Sequence, residues 1–459
     1  MITIQDNIRT GKVCSRHDVA DLLPIANKPI GQLCEENEHL LVFPMSIDDT
    51  NDKIGDNTIV DIYAEDDNSV RIKSNNIMGF VGRKKQQLKI YSRFDDEEHD
   101  LFLHYMLQKV FSYNIFNLDF TTSEDNVFDF LLFMFPAMLK RAMCQGIYKE
   151  YKRFKHNDSN VRGTIDLSRH IRENIPFRGT ISYNTRDFSL DNSVTELIRH
   201  TIEYIKTIPL GNAILSSDNT IADYIKKIIS YTPSYRHSER MKVLQNNLVP
   251  CHHPFYTEYI ILQKLCVQIL RQEEIKYGTN DDRIYGVLFD GAWLWEEYLN
   301  TLLYDVGFTH PENKLGTGAI YLFEHGGQRF PDFWKKDFVL DAKYKRLAVK
   351  GNSLDISRDD VHQIMAYMYR LKANKGGIIC PYKSENNKII SQNMHKDSYL
   401  GSLSLYALAI PKNCSSYEEF VKRIVENERA LCISPIQRPH YFSSSYAYMF
   451  LSKKNYYRF

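Results

Sequence analysis

The chain has 459 residues, 43% hydrophobic and 25% charged, the make-up of an ordinary globular protein with room for two or three cores. Its 58 basic and 57 acidic residues leave a formal net charge of +1, so no global field draws it to nucleic acid, and such affinity must come from local patches or a partner. The polar N-terminus and the lack of a long apolar run exclude secretion and membrane insertion as expectations. The run Phe128 to Leu139 contains Asp129 and Pro136 and is too short to span a bilayer; it reads as a core helix. Eight scattered cysteines without a C-x-x-C pair read as thiols in a reducing compartment, so the expected location is cytoplasmic. Cys251-His252-His253 lacks a matching second pair, which argues against zinc.

Residues 1–95 read as a β-rich N-terminal domain, a small barrel or sandwich. Short strands (Leu40–Phe43, Thr58–Tyr63, Val70–Lys73, Ile77–Val81, Leu88–Tyr91) are cut by acidic turns such as Asp48-Asp49-Thr50-Asn51-Asp52. The basic tip Arg83-Lys84-Lys85 is more simply a solvated turn than a contact for DNA or a partner. Residues 96–275 read as a mainly helical middle domain. Its segment Tyr148-Lys149-Glu150-Tyr151-Lys152-Arg153-Phe154-Lys155 has two readings. Basic residues interleaved with aromatics suit a nucleic-acid backbone and its bases, and they equally suit a helix end with lysines over the macrodipole. Further on, Arg162, Asp166 and Asp191 read as interdomain salt-bridge residues. Gly278 to Asp282 looks like the entry to a third domain, 276–459.

In that third domain Gly286 to Tyr304 reads as a helix with an apolar stripe of Leu288, Ala292, Trp295, Leu299 and Leu302. Glu296 lies on this surface, either as an inward metal ligand or as a solvated boundary residue. A hairpin follows. Phe330-Pro331-Asp332-Phe333-Trp334 and Val339-Leu340-Asp341-Ala342-Lys343-Tyr344-Lys345 flank the polar reversal Lys335-Lys336-Asp337. Alternation puts Val339, Asp341 and Lys343 on one face and Leu340, Ala342 and Tyr344 on the other. Antiparallel pairing brings Asp332 beside Asp341.

Hard Mg2+ takes oxygen ligands, so Asp332, Asp341 and the Ala342 carbonyl form a candidate donor set. A metal there would polarise a phosphoryl oxygen and acidify water. Lys343 would orient or deprotonate that water, or neutralise charge in the transition state. Bare D-x-K is common, and an ordinary hairpin with a surface Asp–Lys pair is the plain alternative. Asp355 to Ala373 reads as a helix stopped near Gly376-Gly377, with Asp360, Gln363, Tyr367 and Arg370 on one face. Gln363 and Tyr367 suit a DNA phosphate or the lysine, and judged in isolation a half-exposed polar face is the plainer reading; His362 is a weaker candidate. Gly376–Tyr382 and Leu403–Pro411 read as buried strands and Tyr417–Ala430 as a closing helix. The expected class is therefore α+β and multidomain, ending in an α/β unit with a central mixed sheet.

With these residues in hand, the C-terminal part resembles the PD-(D/E)XK nuclease superfamily in its Gln-x-x-x-Tyr variant. More narrowly, the chain resembles the McrC nuclease subunits of McrBC-type restriction systems and their LlaJI-type relatives. The resemblance rests on Phe289-Asp290 and Glu296, on Pro331-Asp332 with Asp341 to Lys345, and on Asp360, Gln363 and Tyr367. A middle block adds Val161-Arg162-Gly163-Thr164-Ile165-Asp166 and Arg186 to Asn192; the hairpin Asn76–Val81 with Leu88–Ile90 adds a weaker match. Two departures are Trp295 where phenylalanine is usual and extra length at both ends. The resemblance implies a Mg2+-dependent endonuclease (Mn2+ substituting) acting on double-stranded DNA and leaving a 5′-phosphate. It also implies a McrB-like AAA+ GTPase oligomer as partner, with its hydrolysis stimulated by this chain. The chain itself has no G-x-x-x-x-G-K-[ST], so it is not expected to hydrolyse nucleotide, and it has no G-x-S-x-G or H-E-x-x-H. Two rivals remain: a non-catalytic adaptor that activates an AAA+ motor, and a stand-alone repair nuclease.

Overall fold

The computed structural model describes residues 1–37, 40–44, 54–84, 86–95, 100–111, 126–208, 211–216, 218–251, 253–276, 284–311, 319–347, 357–396 and 401–431. The turn at 48–52, Lys85, His252 and the segment 278–282 lie outside them. The N-terminal part holds β1 (Ile2–Gln5), β2 (Lys12–Ser15), α1 (Ile30–Glu36), β3 (Leu40–Phe43), β4 (Val60–Ala64), β5 (Ser69–Ser74), β6 (Ile77–Arg83) and β7 (Gln86–Tyr91). All five expected strands are present. In β5 the alternation works as written: Val70, Ile72 and Ser74 are buried, while the residues between them are partly exposed.

The middle part holds α2 (Leu101–Phe111), α3 (Asn126–Cys144), β8 (Glu150–Asp158), β9 (Thr164–Ile165), α4 (Leu167–Glu173), β10 (Ile181–Ser189), α5 (Ser193–Thr207), α6 (Gly211–Leu215), α7 (Asn219–Tyr231), α8 (Arg240–Asn246) and α9 (Glu258–Lys276). Then come β11 (Ile284–Asp290), α10 (Gly291–Leu303), β12 (Ile320–Tyr321), β13 (Gln328–Arg329), β14 (Phe333–Lys335), β15 (Phe338–Ala342), α11 (Arg358–Leu371), β16 (Lys375–Lys383), β17 (Lys388–Asn393), β18 (Ser402–Ile410) and α12 (Tyr417–Ala430).

Two sheets form the N-terminal part. One has the order β1-β7-β6-β11-β3, the other β2-β5-β4. They share one core, in which Ile4, Val81, Leu88, Ile90 and Leu288 of the first pack with Val60, Ile62, Val70 and Ile72 of the second. The fourth strand of the larger sheet comes from far along the chain. β11 pairs antiparallel with β6 and parallel with β3, so the helix expected from Gly286 begins only at Gly291.

The physical reason is burial on both faces. Val287, Leu288 and Phe289 are all inaccessible, and a run apolar on every side suits a central strand better than a one-sided helix. Close backbone approach helps. A Cβ at Gly286 would lie 2.4 Å from the Phe80 carbonyl oxygen, and one at Gly79 2.2 Å from that of Val287. Asp290 then starts α10 by accepting the Trp293 N–H at 2.8 Å.

The middle is not helical throughout. The segment Tyr148–Lys155, one reading of which is a helix end, lies mostly in the strand Glu150–Asp158, paired over nine residues with β10, and β9 joins on the other side of β10. Its aromatics stack across the ladder: Tyr151 lies on Phe188 with centroids 3.9 Å apart. Cross-strand pairing of alternating side chains outweighs the macrodipole argument here. The expected salt bridges are also different. Asp166 caps α4 through the Arg169 N–H and accepts from Asn184, while Asp191 accepts from Ser234. Arg162 bonds Tyr183.

The C-terminal sheet has the order β14-β15-β16-β18-β17. β15, β16 and β18 run parallel, and the two outer strands are antiparallel to their neighbours, which is the expected mixed sheet. One face packs on α11 through Val339, Ile378 and Leu405 against Ile364 and Met368. The other joins a large core with α2, α10 and α12 through Leu340, Ile379 and Leu408. α11 ends at Leu371, two residues short of the expected Ala373, capped by Lys372 in the left-handed region at φ 53°; Gly376 and Gly377 already belong to β16.

Candidate active site

β14 and β15 form the expected hairpin. Phe333 opposes Leu340 and Lys335 opposes Phe338, and Asp337 at the reversal has φ 68°. One step beyond the first pair, Asp332 lies opposite Asp341. Asp332 Oδ2 accepts the Ala342 N–H at 2.6 Å, which ties the two strand ends together. The Asp341 side chain is fully buried, and among the described residues neither of its oxygens has a hydrogen-bond partner. The Lys343 ammonium lies 2.8 Å from Oδ2 and forms an ion pair with it.

α11 completes the arrangement. Ser357 caps it by accepting the Asp360 N–H, and its polar face then meets the hairpin segment and, at the last turn, β12. Asp360 pairs with Lys345. Gln363 accepts from the Lys343 ammonium at 3.2 Å and donates to the Tyr367 hydroxyl at 2.9 Å. That hydroxyl donates to the Phe330 carbonyl at 3.4 Å, and Arg370 donates to the Tyr321 carbonyl. Of the two roles open to Gln363 and Tyr367, the described contacts are with the lysine. His362 is exposed.

The charges are strongly perturbed. Asp332 retains a partial opening to solvent, yet protein atoms crowd it so closely that burial, and then Asp341, hold its pKa well above the usual carboxylate range. Burial would lower the Lys343 pKa; Asp341 and Asp332 more than offset it, so the net shift is upward and the lysine is a cation. Burial also raises the Tyr367 pKa. Two crowded carboxylates and a pair of buried oxygens without hydrogen bonds are an arrangement that a hard cation with oxygen preference would relieve. The residues present therefore fit a divalent ion held by Asp332 and Asp341, with the Ala342 carbonyl the next oxygen on the strand.

Glu296 is not brought into this group. It sits on α10 beside buried Trp295, half-exposed, and among the described residues no three His, Cys, Asp or Glu side chains are placed to share one metal. One neighbour escaped the sequence reading. His310 Nδ1 lies 2.6 Å from the Asp332 carbonyl oxygen, its ring stacks on Phe333, and its Nε2 is 4.0 Å from Glu297. A lone histidine upstream of the hairpin carries no spacing signal; only the Thr309–Trp334 bridge brings it there.

A comparison with curated proteins found no match. Among solved structures, the chain is similar to a refined half-complex from a tetradecameric assembly of Thermococcus gammatolerans McrB AAA+ hexamers with bound McrC. The TM-score is 0.47 and the identity 16%, over 93% of this chain and 99% of that one. A second likeness is to the cryo-EM structure of the Thermococcus gammatolerans McrBC complex, with TM-score 0.31 and 17% identity over 66% of this chain and 87% of that one. The family described as the McrBC 5-methylcytosine restriction system component matches residues 72–381. That span takes in the β-rich N-terminal hairpin, the middle block and the whole candidate site, and the chain belongs to this family.

Proposed function

We propose that the chain is the Mg2+-dependent endonuclease subunit of a McrBC- or LlaJI-type restriction system, built on a PD-(D/E)XK site. The observation that carries this reading is the fully buried Asp341 carboxylate, without hydrogen bonds among the described residues, beside Asp332 and Lys343. Asp332 and Asp341, with the Ala342 carbonyl, would hold the Mg2+ ion, or Mn2+ in its place. When bound, the ion supplies Lewis acidity toward a phosphoryl oxygen and makes a nearby water more acidic.

The chain's own residues do the rest. Lys343 holds a positive charge where the phosphate of double-stranded DNA would develop negative charge. Gln363 fixes the lysine ammonium, and Tyr367 fixes Gln363, so the cation is pre-placed rather than recruited. Water attacks the phosphorus in line, the P–O3′ bond breaks, and the 3′-oxygen leaves as a hydroxyl with the proton the water sheds, so a 5′-phosphate remains. The chain works with a McrB-like AAA+ GTPase oligomer whose hydrolysis it stimulates, and the system acts in the cytoplasm. Family membership and the likeness to McrC bound to McrB hexamers support this partner. Among the described residues no helix is long and apolar enough to cross a membrane.

The test is cleavage of plasmid DNA by the chain with its GTPase, GTP and Mg2+, comparing wild type with Asp341→Ala and Lys343→Ala. Loss of cleavage in both variants, with GTPase stimulation retained, is the expected result. Full restriction in cells by Asp341→Ala would instead establish the adaptor, and cleavage without partner or GTP the stand-alone nuclease.

A further inference from the structure

Lys343 and Lys345 both turn toward α11, but Tyr344 between them points the opposite way, into the N-terminal part. It is buried there on several sides. Its hydroxyl is 2.8 Å from Ser92 Oγ, and its ring stands edge-on to Phe94 with centroids 5.2 Å apart. The Arg93 guanidinium lies over the ring, 4.7 Å from its centre, and Nη1 donates to the Tyr344 carbonyl at 3.4 Å. On another side α10 begins so close that a Cβ at Gly291 would meet the ring at 2.8 Å.

Arg93 is itself held. Its side chain is 4% exposed and that of its partner Asp6 0%. Arg93 Nε and Nη2 donate to Asp6 Oδ2 at 2.9 and 2.5 Å, and the Arg93 backbone N–H donates to Oδ1. Nη2 also donates to the Asn76 side chain, and the Asn76 carbonyl accepts the Gly291 N–H at 2.9 Å. Removing two charges from water is unfavourable, and packed apolar residues often serve stability as well. A buried ion pair at this joint, one residue from the candidate site's lysine, therefore suggests a role in geometry.

We propose that Arg93, held by Asp6 and acting through Tyr344, is a positioning residue for Lys343. The proposal rests on the nuclease reading for its consequence, though not for its geometry. A lysine stem is long and flexible, so where its ammonium sits depends on how the chain leaves β15. Two bonds define that exit: the Lys343 N–H donates to the Ile379 carbonyl at 2.9 Å, and the Lys345 N–H returns to the Lys343 carbonyl at 3.1 Å. Tyr344 is the tip of this tight turn. Fixing its ring and carbonyl fixes the direction in which Lys343 departs toward Asp341 and Gln363.

The labelling test uses the full chain and needs neither metal nor partner. Lysines are acetylated with an N-hydroxysuccinimide ester and followed by mass spectrometry, with Lys140, paired to Asp218 elsewhere, as internal reference. In Asp6→Leu/Arg93→Met, which keeps the joint apolar instead of leaving Asp6 unpaired, labelling of Lys343 relative to Lys140 should rise at least about threefold as its pairing opens locally. Arg93→Lys, which keeps the charge but not the fork over the ring, should show the same change and decides the matter if the double variant does not fold. An unchanged ratio in a folded variant overturns the proposal, because a purely structural role would alter melting without singling out Lys343. As a second readout, in plasmid cleavage with the GTPase, GTP and Mn2+, the same variants should lose about tenfold in kcat with KM for DNA unchanged. If wild type and Asp341→Ala cleave alike, the nuclease reading falls while the labelling still decides the positioning role.

Discussion

Asp341 carries two solvent-shielded oxygens whose compensation is a single ammonium group. A site of this kind gains from a divalent ion, and the gain is measurable as stability. A ligand at a hundredfold excess over its dissociation constant stabilises the folded state by about 2.7 kcal/mol. Mn2+ should therefore raise the melting temperature of the wild-type chain and leave that of Asp341→Ala in place; equal shifts would remove the metal from the hairpin. His200 supports a second residue-scale prediction. It is 3% exposed, tilted on Tyr235 at 4.6 Å, and burial with Arg240, His237 and Arg199 nearby lowers its pKa from 6.5 to about 4. The folded state thus favours the neutral ring. Its contribution is complete above pH 6.5, where neither state is protonated, and is lost as pH falls from 6.5 to 4 and the unfolded chain takes up the proton. Urea melts of wild type across this window should lose on the order of 1–2 kcal/mol more than those of a folded His200→Gln variant.

Elements owe their placement to a few residues at their ends and crossings. Gly79 has φ 125° and faces the Val287 carbonyl where β6 meets β11. Gly79→Ala adds both backbone strain and a clash, and should destabilise by about 3 kcal/mol or more in urea unfolding; a loss under 1 kcal/mol would mean that the two strands do not pair in this register. Ser357 caps α11, the helix that holds Lys343 through Gln363. Ser357→Ala should reduce stability by about 1 kcal/mol and, by fraying the first turn, weaken the Lys345–Asp360 pair more than the Gln363 contact. Amide exchange along α11 would show this gradient.

At the scale of the molecule, the N-terminal sheet is not independent of the candidate site. β11 lies between β6 and β3, and α10, continuous with it, packs on the C-terminal sheet. Residues 276–459 expressed alone would expose both edges of β11 and the apolar faces of Val287 and Phe289. That segment should aggregate or lack a cooperative thermal transition, and a sharp melt from it would show that the C-terminal unit closes without the first 275 residues. The Asp6–Arg93–Tyr344 joint adds a polar tie between the same two regions.

Much of the site was legible because its information is local. Period-two alternation put Asp341 and Lys343 on one face and Tyr344 on the other, and the polar reversal set the pairing of Asp332 with Asp341. Helical spacing gathered Asp360, Gln363, Tyr367 and Arg370. The N-terminal strands were readable for the same reason. Spacing did not give the partner of each strand or the depth of each side chain. β8 found its nine-residue ladder with β10, and β11 crossed to an N-terminal sheet, because backbone groups pair with whatever the fold brings alongside. Glu296 lies on α10, but among the described residues it does not join Asp332 and Asp341 in a shared metal group. Arg93 and Tyr344, 251 positions apart, share no pattern that a window along the chain contains. Residue type and periodicity determined which faces carry chemistry; only the tertiary structure decided which of those faces meet, since contact between distant segments is selected by the packing of the whole core.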